Sequence, residues 1–390
     1  MKYLKEARPA ILEINLDNLA YNIRNLREKV GKDTLIMAIV KANGYGHGAI
    51  SSSKVFLENG ADRLGVSILP EGMELRKSGI EAPILILNYT PPSQYRNIIE
   101  YNLIQNIYSY EDAKKLSDVA VELGQKATIH IKIDTGMGRI GFYPSSKSVG
   151  EIIKISKLPK IEIEGIFTHF AKSDEKDKEF TRIQFQRFMD IVERIEAKGL
   201  YIKIKHASNS AATIDLMKYN LNMIRPGLLL YGHYPSSEVV KNNLKIMPAM
   251  TLKSSISNIK TVGKGSGISY GHTYVTEKRT RIATLPIGYA DGYSRMLTGR
   301  ASVCIKGERV KVVGKICMDQ MMIDVTGVKD VKIGDDVILF GYKEGQPSVE
   351  EIASWLGTIN YEIVCMMSRR VPRVYIKNDK LSHIVDYILD

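Results

Sequence analysis

Eight short apolar runs fill the first 230 or so residues, and helix-period segments lie between most of them. The runs are 35–40, 64–68, 84–87, 103–107, 129–133, 163–168, 202–206 and 228–231. Continuous apolar runs of this length suit strands buried on both faces, as in parallel sheets, and parallel strands need a crossover between them. The intervening segments supply it. In 17–30, Leu19, Ile23, Leu26 and Val30 share one helical face and Asp17 is placed to cap it; in 178–198, Ile183, Phe188, Ile191 and Ile195 line up and Gly199 can stop the helix. Eight such alternations predict an α/β chain whose N-terminal part, residues 1–239, is a (β/α)8 TIM-type barrel rather than an open sheet.

The pattern changes after residue 233. The segment HYPSSEVVKNN is polar and turn-rich, and short strands with glycine-containing turns follow it. Val303 and Ile305, then KGER, then Val310 and Val312 read as a hairpin; 336–340 reads as a strand and 348–356 as a helix. Residues 240–390 are therefore expected to form a C-terminal mainly-β domain, with a strand at about 10–15 available to pack with it.

The net charge of +12 raises nucleic acid as a partner, but no long Lys/Arg block occurs and acidic residues alternate with basic ones along most helices. The excess reads as a solvated surface. The three cysteines, Cys304, Cys317 and Cys365, have no metal-type spacing and sit in apolar stretches, which fits a reducing cytoplasm. The N-terminal stretch MKYLKEARPAILEINL lacks the apolar core of a leader, and no run approaches the roughly 18 apolar residues of a membrane span.

Chemistry concentrates where strands end. KANGYGHG (41–48) follows the first barrel run. Spacing alone leaves two readings of Lys41: a surface lysine in a glycine turn, or a partly desolvated amine able to act as a Schiff-base nucleophile at the catalytic end of the barrel. KIDTGMGRIGF (132–142) puts Arg139 in a glycine loop, where a guanidinium can bind a carboxylate or sit on the surface. GIFTHFAKSDE (165–175) places His169 at a strand end. HASNSAA (206–212) offers Asn209 and Ser210 either as a plain helix cap or as phosphate donors. IRPGLLLYG (224–232) sets Arg225 beside a strand.

Taken together these segments resemble the alanine racemase family, and the resemblance runs over about residues 10–375. It implies pyridoxal 5′-phosphate (PLP) as cofactor, held covalently by Lys41. It assigns Tyr45, Asn209, Ser210, Gly227, Leu228 and Tyr361 (in INYE, 359–362) to the phosphate, His169 to the face of the pyridine ring and Arg225 to its nitrogen. Lys132 matches a lysine that is carbamylated in many members and that positions Arg139. The β region extends the likeness. GISYGHTY (267–274) places Tyr270 as the second catalytic base, IGYADGYSR (287–295) supplies Tyr289 and Arg295, and VGKICMDQ (313–320) puts the Met318 amide at the substrate carboxylate. Asp174, Tyr289 and Arg295 would line the access channel, with Tyr289 on the substrate side.

The implied reaction interconverts L- and D-alanine through acid–base groups on opposite faces of the substrate: Lys41 on one, and Tyr270, oriented by Arg139, on the other. The resemblance also implies a homodimer in which Tyr270 serves the neighbouring subunit's site, no metal, and D-alanine destined for peptidoglycan. A serine, lysine or broad-range racemase stands as the alternative within the chemistry. A non-catalytic PLP-binding protein resembles the barrel alone and lacks the Tyr270 region. A fold-related decarboxylase places a carboxylate where Arg225 stands.

Overall fold

The computed structural model describes residues 8–389; the first seven residues of the stretch read for a leader, and Asp390, lie outside them. The chain divides into two compact units. One comprises Leu19–Gly44 and Ala49–Met247; the other takes Tyr45–Gly48, the chain from Pro248 onward and the described residues before Leu19. The first strand, β1 (Ile11–Asn15), belongs to the second unit.

The first unit is the barrel. Strands β2 (Leu35–Ile39), β3 (Arg63–Val66), β4 (Ile84–Ile86), β5 (Ile104–Ile107), β6 (Ala127–Lys132), β7 (Ile161–Phe167), β8 (Ile204–His206) and β9 (Met223–Ile224) form one sheet in the order β8-β7-β6-β5-β4-β3-β2-β9. Every hydrogen-bonded neighbour is parallel. The ends of the sheet meet: the Asn222 N–H donates to Lys205 O at 3.1 Å and the Arg225 N–H to Ser208 O at 3.0 Å, so β9 lies against β8 and nearly closes the ring. Ile36, Ala38, Leu64, Leu85, Ile129, Ile131 and Ile166 are fully buried, as strands covered on both faces require. The crossover helix Glu179–Glu196 buries Phe188, Ile191 and Ile195, and stops before Gly199, which holds φ 84°.

Two expectations are corrected. Residues 228–231 are not the eighth strand but a buried 3₁₀ turn, Leu228–Tyr231. The strand is β9, and it ends before Pro226, which accepts the Ile39 N–H at 3.0 Å but has no N–H to extend the ladder. The helix Leu16–Val30 is capped by Asn15, whose Oδ1 accepts the Asn18 N–H at 2.9 Å; Asp17 instead accepts the Asn378 N–H at 2.6 Å.

In the second unit, β1 sits inside a seven-stranded mixed sheet, antiparallel to β10 (Met250–Ser255) and parallel to β19 (Arg373–Lys377). Three strands lie beyond β10, namely β15 (Ser302–Ile305), β16 (Glu308–Lys311) and β18 (Asp336–Phe340), and β20 (Lys380–Val385) lies beyond β19, giving the order β16-β15-β18-β10-β1-β19-β20. A second sheet holds β11 (Asn258–Val262), β14 (Thr280–Leu285) and β17 (Met321–Asp324); β12 (Gly267–Ile268) and β13 (Tyr274–Val275) form a short pair. The β15–β16 hairpin turns on Lys306 and Gly307, both with positive φ as a two-residue turn of this hand requires. Leu12, Ile14, Leu252 and Phe340 are fully buried in this unit. Helix Val349–Leu356 carries a capping box of Ser348 and Glu351. A further helix, Asn360–Cys365, was not foreseen.

Candidate active site

In the barrel unit the singled-out residues gather at the C-terminal ends of the strands, where such barrels carry their chemistry. Lys41 lies two residues past β2 and is half-buried. The turn after it is left-handed: Ala42, Asn43, Gly44 and Tyr45 hold φ of 52°, 54°, 59° and 49°. A non-glycine residue in this region costs on the order of 1–3 kcal/mol, so its surroundings must hold it there. They do. The Gly44 N–H donates to Val40 O at 2.9 Å, the Ala49 N–H to Asn43 Oδ1 at 3.0 Å and the Ala42 N–H to Glu71 Oε1 at 2.7 Å. Glu71 Oε2 accepts the Ser67 N–H at 2.7 Å, so one carboxylate ties the loops after β2 and β3 together.

Arg225 follows β9 and is 4% exposed. Its guanidinium donates to Thr168 O at 2.7 Å and Ala207 O at 3.0 Å and meets His206 Nδ1 at 2.9 Å. From there a polar chain crosses the barrel interior. His206 Nε2 lies 2.9 Å from His130 Nδ1, and His130 Nε2 lies 3.0 Å from Glu164 Oε2. Glu164 receives both terminal nitrogens of Arg63 at 2.7 Å each. An arginine only donates and a carboxylate only accepts, so the protons have one order: Arg225 to His206, His206 to His130, His130 to Glu164. Both histidines are then neutral. Burial lowers the His130 pKa and, with Arg225 next in weight, takes His206 well below the ordinary value. Burial would raise Glu164, but His130 and Arg63 hold it at about 2. Arg225 itself is lowered by burial to about 9 and stays charged at neutral pH. Gly165 makes room for this chain, since a Cβ there would stand 2.4 Å from the His130 ring.

The half-buried His169, two residues past β7, is pushed well below its usual pKa by burial first, then by Arg225, Arg139, Lys132 and Lys41. Arg225 Nη2 lies 3.5 Å from His169 Nδ1. Gln184 fixes its backbone, donating to His169 O at 3.2 Å and accepting the Ala171 N–H at 2.8 Å. Lys132, at the end of β6, is 3% exposed and donates to Ile133 O at 2.8 Å; burial lowers it to about 7 against the pull of Asp134. Burial would raise Asp134, but the N–H groups of Gly138, Gly136 and Arg139 and the charge of Lys132 hold it low and shape the Arg139 loop. The Arg139 side chain is exposed. Asn209 caps the helix Ser210–Asp215 through the Ala212 N–H at 3.1 Å, and Ser210 Oγ accepts the Gly227 N–H at 2.9 Å, so Asn209, Ser210, Gly227 and Leu228 form one cradle. Asp174 is half-buried in the loop after β7, its carbonyl bonded by Ser236 Oγ at 2.6 Å.

In the β unit, Tyr270 opens a 3₁₀ turn after Ser269, which holds φ 65°. Ser269 Oγ donates to Lys315 O at 2.6 Å and lies 3.5 Å from Cys317 Sγ, beside Met318. The Tyr289 N–H donates to Cys317 O at 3.1 Å and the Ala290 N–H to Met318 O at 3.0 Å. Tyr270, Tyr289 and Met318 are thereby brought into one cluster, 67%, 40% and 52% exposed. Arg295 is also exposed, in the turn Arg295–Leu297. An ion network that sequence reasoning missed supports the cluster: Arg370 reaches Asp319 at 2.7 Å and the fully buried Asp291 at 3.5 Å, while Asp291 accepts the Gly288 N–H at 3.0 Å and pairs with Arg8 at 2.6 Å. Tyr361, in helix Asn360–Cys365, faces Tyr45 at 6.2 Å between ring centroids.

The donor set of the barrel unit fits PLP. A phosphate dianion suits the cradle of Ser210 and the Gly227 backbone, and a flat aromatic ring suits His169 and the buried Arg225 guanidinium beside it. Among the described residues no helix is long and apolar enough to cross a membrane.

Comparison with known proteins agrees. Residues 14–235 match the alanine racemase N-terminal domain and residues 249–375 the alanine racemase C-terminal domain. The chain is 50% identical over 386 residues to the alanine racemase of Clostridium tetani, spanning 98% of this chain and all of that one. The crystal structure of Clostridium difficile 630 alanine racemase superposes with a TM-score of 0.95 at 48% identity, over 98% of this chain and 99% of that one. A structure of the same enzyme with cycloserine gives 0.94 at 46% identity and the same coverage. The chain belongs to the alanine racemase family, whose members interconvert the two enantiomers of alanine with PLP as cofactor.

Proposed function

We propose that this chain racemises alanine with Lys41 and Tyr270 as its two acid–base groups. The observation that carries the reading is the barrel cluster: Lys41 just past β2, the deeply buried Arg225 with its Nη2 3.5 Å from His169 Nδ1, and the Ser210–Gly227 cradle. PLP, when bound, acidifies the substrate's α C–H by drawing its electrons into the ring. Lys41 would hold the cofactor and handle the proton on one face. Tyr270 would handle it on the other, oriented by Arg139, which with the Met318 amide would also bind the substrate carboxylate. Tyr45, Tyr361, Asn209, Ser210, Gly227 and Leu228 would hold the phosphate and His169 would pack on the ring.

Arg225 would face the ring nitrogen. A charged guanidinium donates but does not accept, so it favours an unprotonated nitrogen. The weaker electron sink that results would restrain side reactions such as transamination. Tyr289, Asp174 and Arg295 would narrow the access channel toward small side chains, and Lys132 would support Arg139.

The 67% exposure of Tyr270 suits a phenol that a second copy covers. We therefore read the active form as a homodimer in which Tyr270 of the partner subunit completes each site. Three cysteines without metal-type spacing, Cys304, Cys317 and Cys365, suit a reducing cytoplasm, where the enzyme would supply D-alanine for peptidoglycan. The test is to incubate the purified protein with PLP and L-alanine and to separate enantiomers by chiral chromatography. Equal amounts of the two enantiomers are expected at equilibrium. Turnover of L-serine or L-lysine in preference to L-alanine would replace the substrate assignment, and no turnover would overturn the reading.

A further inference from the structure

Lys41 and Tyr45 share one left-handed turn, yet Tyr45–Gly48 packs in the β unit. There, β19 donates to the two carbonyls after Tyr45. Arg373 Nε–H bonds Gly46 O at 3.2 Å and Tyr375 Oη–H bonds His47 O at 2.9 Å. Both side chains are 1% exposed. The rest of the Arg373 fork goes to Ser368 O at 2.6 Å, Val371 O at 2.7 Å and Met367 O at 2.9 Å. Burying a guanidinium is costly unless hydrogen bonds replace those it loses to water, and charge-assisted bonds are about twice as strong as neutral ones.

The loop is pressed from a second side. A Cβ on Gly46 would stand 2.1 Å from Val364 O, and one on Gly48 would stand 1.8 Å from Tyr375 Oη. Val364 belongs to the helix that carries Tyr361, whose ring faces Tyr45. The strained backbone of Tyr45 is thus pinned between β19 and that helix.

We propose that Arg373 and Tyr375 are positioning residues that fix Tyr45 for the cofactor phosphate by gripping the carbonyls of Gly46 and His47. Their side chains reach backbone carbonyls, so their effect would pass through the loop that carries Tyr45. The proposal rests on the reading of Tyr45 as a phosphate contact, and its test separates the two. Apoprotein is titrated with PLP and with pyridoxal, which lacks the phosphate, following absorbance and intrinsic fluorescence.

Tyr45→Phe, Tyr375→Phe and Arg373→Met are each expected to weaken PLP binding about five- to tenfold while pyridoxal binding stays within about twofold. Arg373→Lys should recover part of the loss. The double variant Tyr45→Phe/Tyr375→Phe should bind PLP no more weakly than Tyr45→Phe alone, because the two act through one contact. A Tyr45→Phe ratio that shifts while the Tyr375→Phe ratio does not would overturn the proposal. So would equal losses for both ligands. An unshifted Tyr45→Phe ratio removes the phosphate reading and the proposal with it. If Arg373→Met does not fold, Tyr375→Phe decides.

Discussion

The two units present their functional side chains in opposite ways. In the barrel unit Arg225, Lys132 and the polar chain behind them are buried, each held by several partners, with acid–base behaviour far from that of the free side chains. In the β unit Tyr270, Tyr289 and Met318 stand well out of the protein, on turns whose backbone is fixed while the side chains are not covered. The contrast teaches a division of labour. In the barrel unit, burial sets the electrostatics of these side chains. In the β unit the side chains are left to solvent, as the proposed dimer would require.

The largest effects should separate these roles. Lys41→Ala is expected to lose both activity and the visible band of bound cofactor. Tyr270→Ala should keep the band and lose activity by roughly 10³-fold. Co-expressing the two variants should restore part of the activity through mixed dimers that carry one intact pair. If such dimers form and stay inactive, Tyr270 does not serve the neighbouring subunit's site.

Next comes Glu164, which anchors the buried chain. Glu164→Leu leaves His130 and Arg63 without their acceptor and should lower stability by about 3 kcal/mol in urea unfolding. In wild type, the Glu164 carboxylate is held at about 2, so its contribution is present above its unfolded value near 4.5 and is lost as pH falls through about 2. Glu164→Gln should flatten that acid limb.

Lys132 gives a smaller effect in the alkaline range. Its folded value of about 7 lies below the 10.5 of a free lysine, so the folded state holds fewer protons than the unfolded one between these pH values. Stability should therefore rise with pH from about 7 toward 10, by on the order of 2 kcal/mol, in carbonate-free buffer. Lys132→Met should remove the slope, as followed by thermal unfolding across that range.

The smallest effect belongs to the β unit. Arg370→Gln frees Asp319 and weakens the hold on Asp291, loosening the Met318 and Tyr289 turns. KM for alanine should rise about three- to tenfold with the cofactor band unchanged. A loss of the band would mean that the β cluster shapes the cofactor site as well.

Much of this was legible in the sequence, and the parts that were not share a cause. Seven barrel strands showed as apolar runs because burial on both faces leaves no other composition. The run at 228–231 misled because four buried residues suit a strand or a 3₁₀ turn equally, and only Pro226 marks the break. The Lys41, Arg139 and Arg225 motifs were readable because each is local, with a glycine or proline fixing its loop. Glu71, Glu164, Arg370 and Arg373 were not. Each is a common charged residue whose partner lies far away in sequence or in another loop, and Glu164, in the alternating IEIEGIF, looks like a solvent-facing residue.

The turn after Lys41 has a consequence in stereochemistry. Ala42, at φ 52° and ψ 50°, occupies the mirror image of the ordinary helical conformation. Side chains of natural handedness pay roughly 1–2 kcal/mol to stand there, whereas the opposite enantiomer would rest in it without strain. A catalyst that makes no lasting distinction between the hands of alanine thus keeps, beside Lys41, one alanine of its own in the geometry native to the other hand.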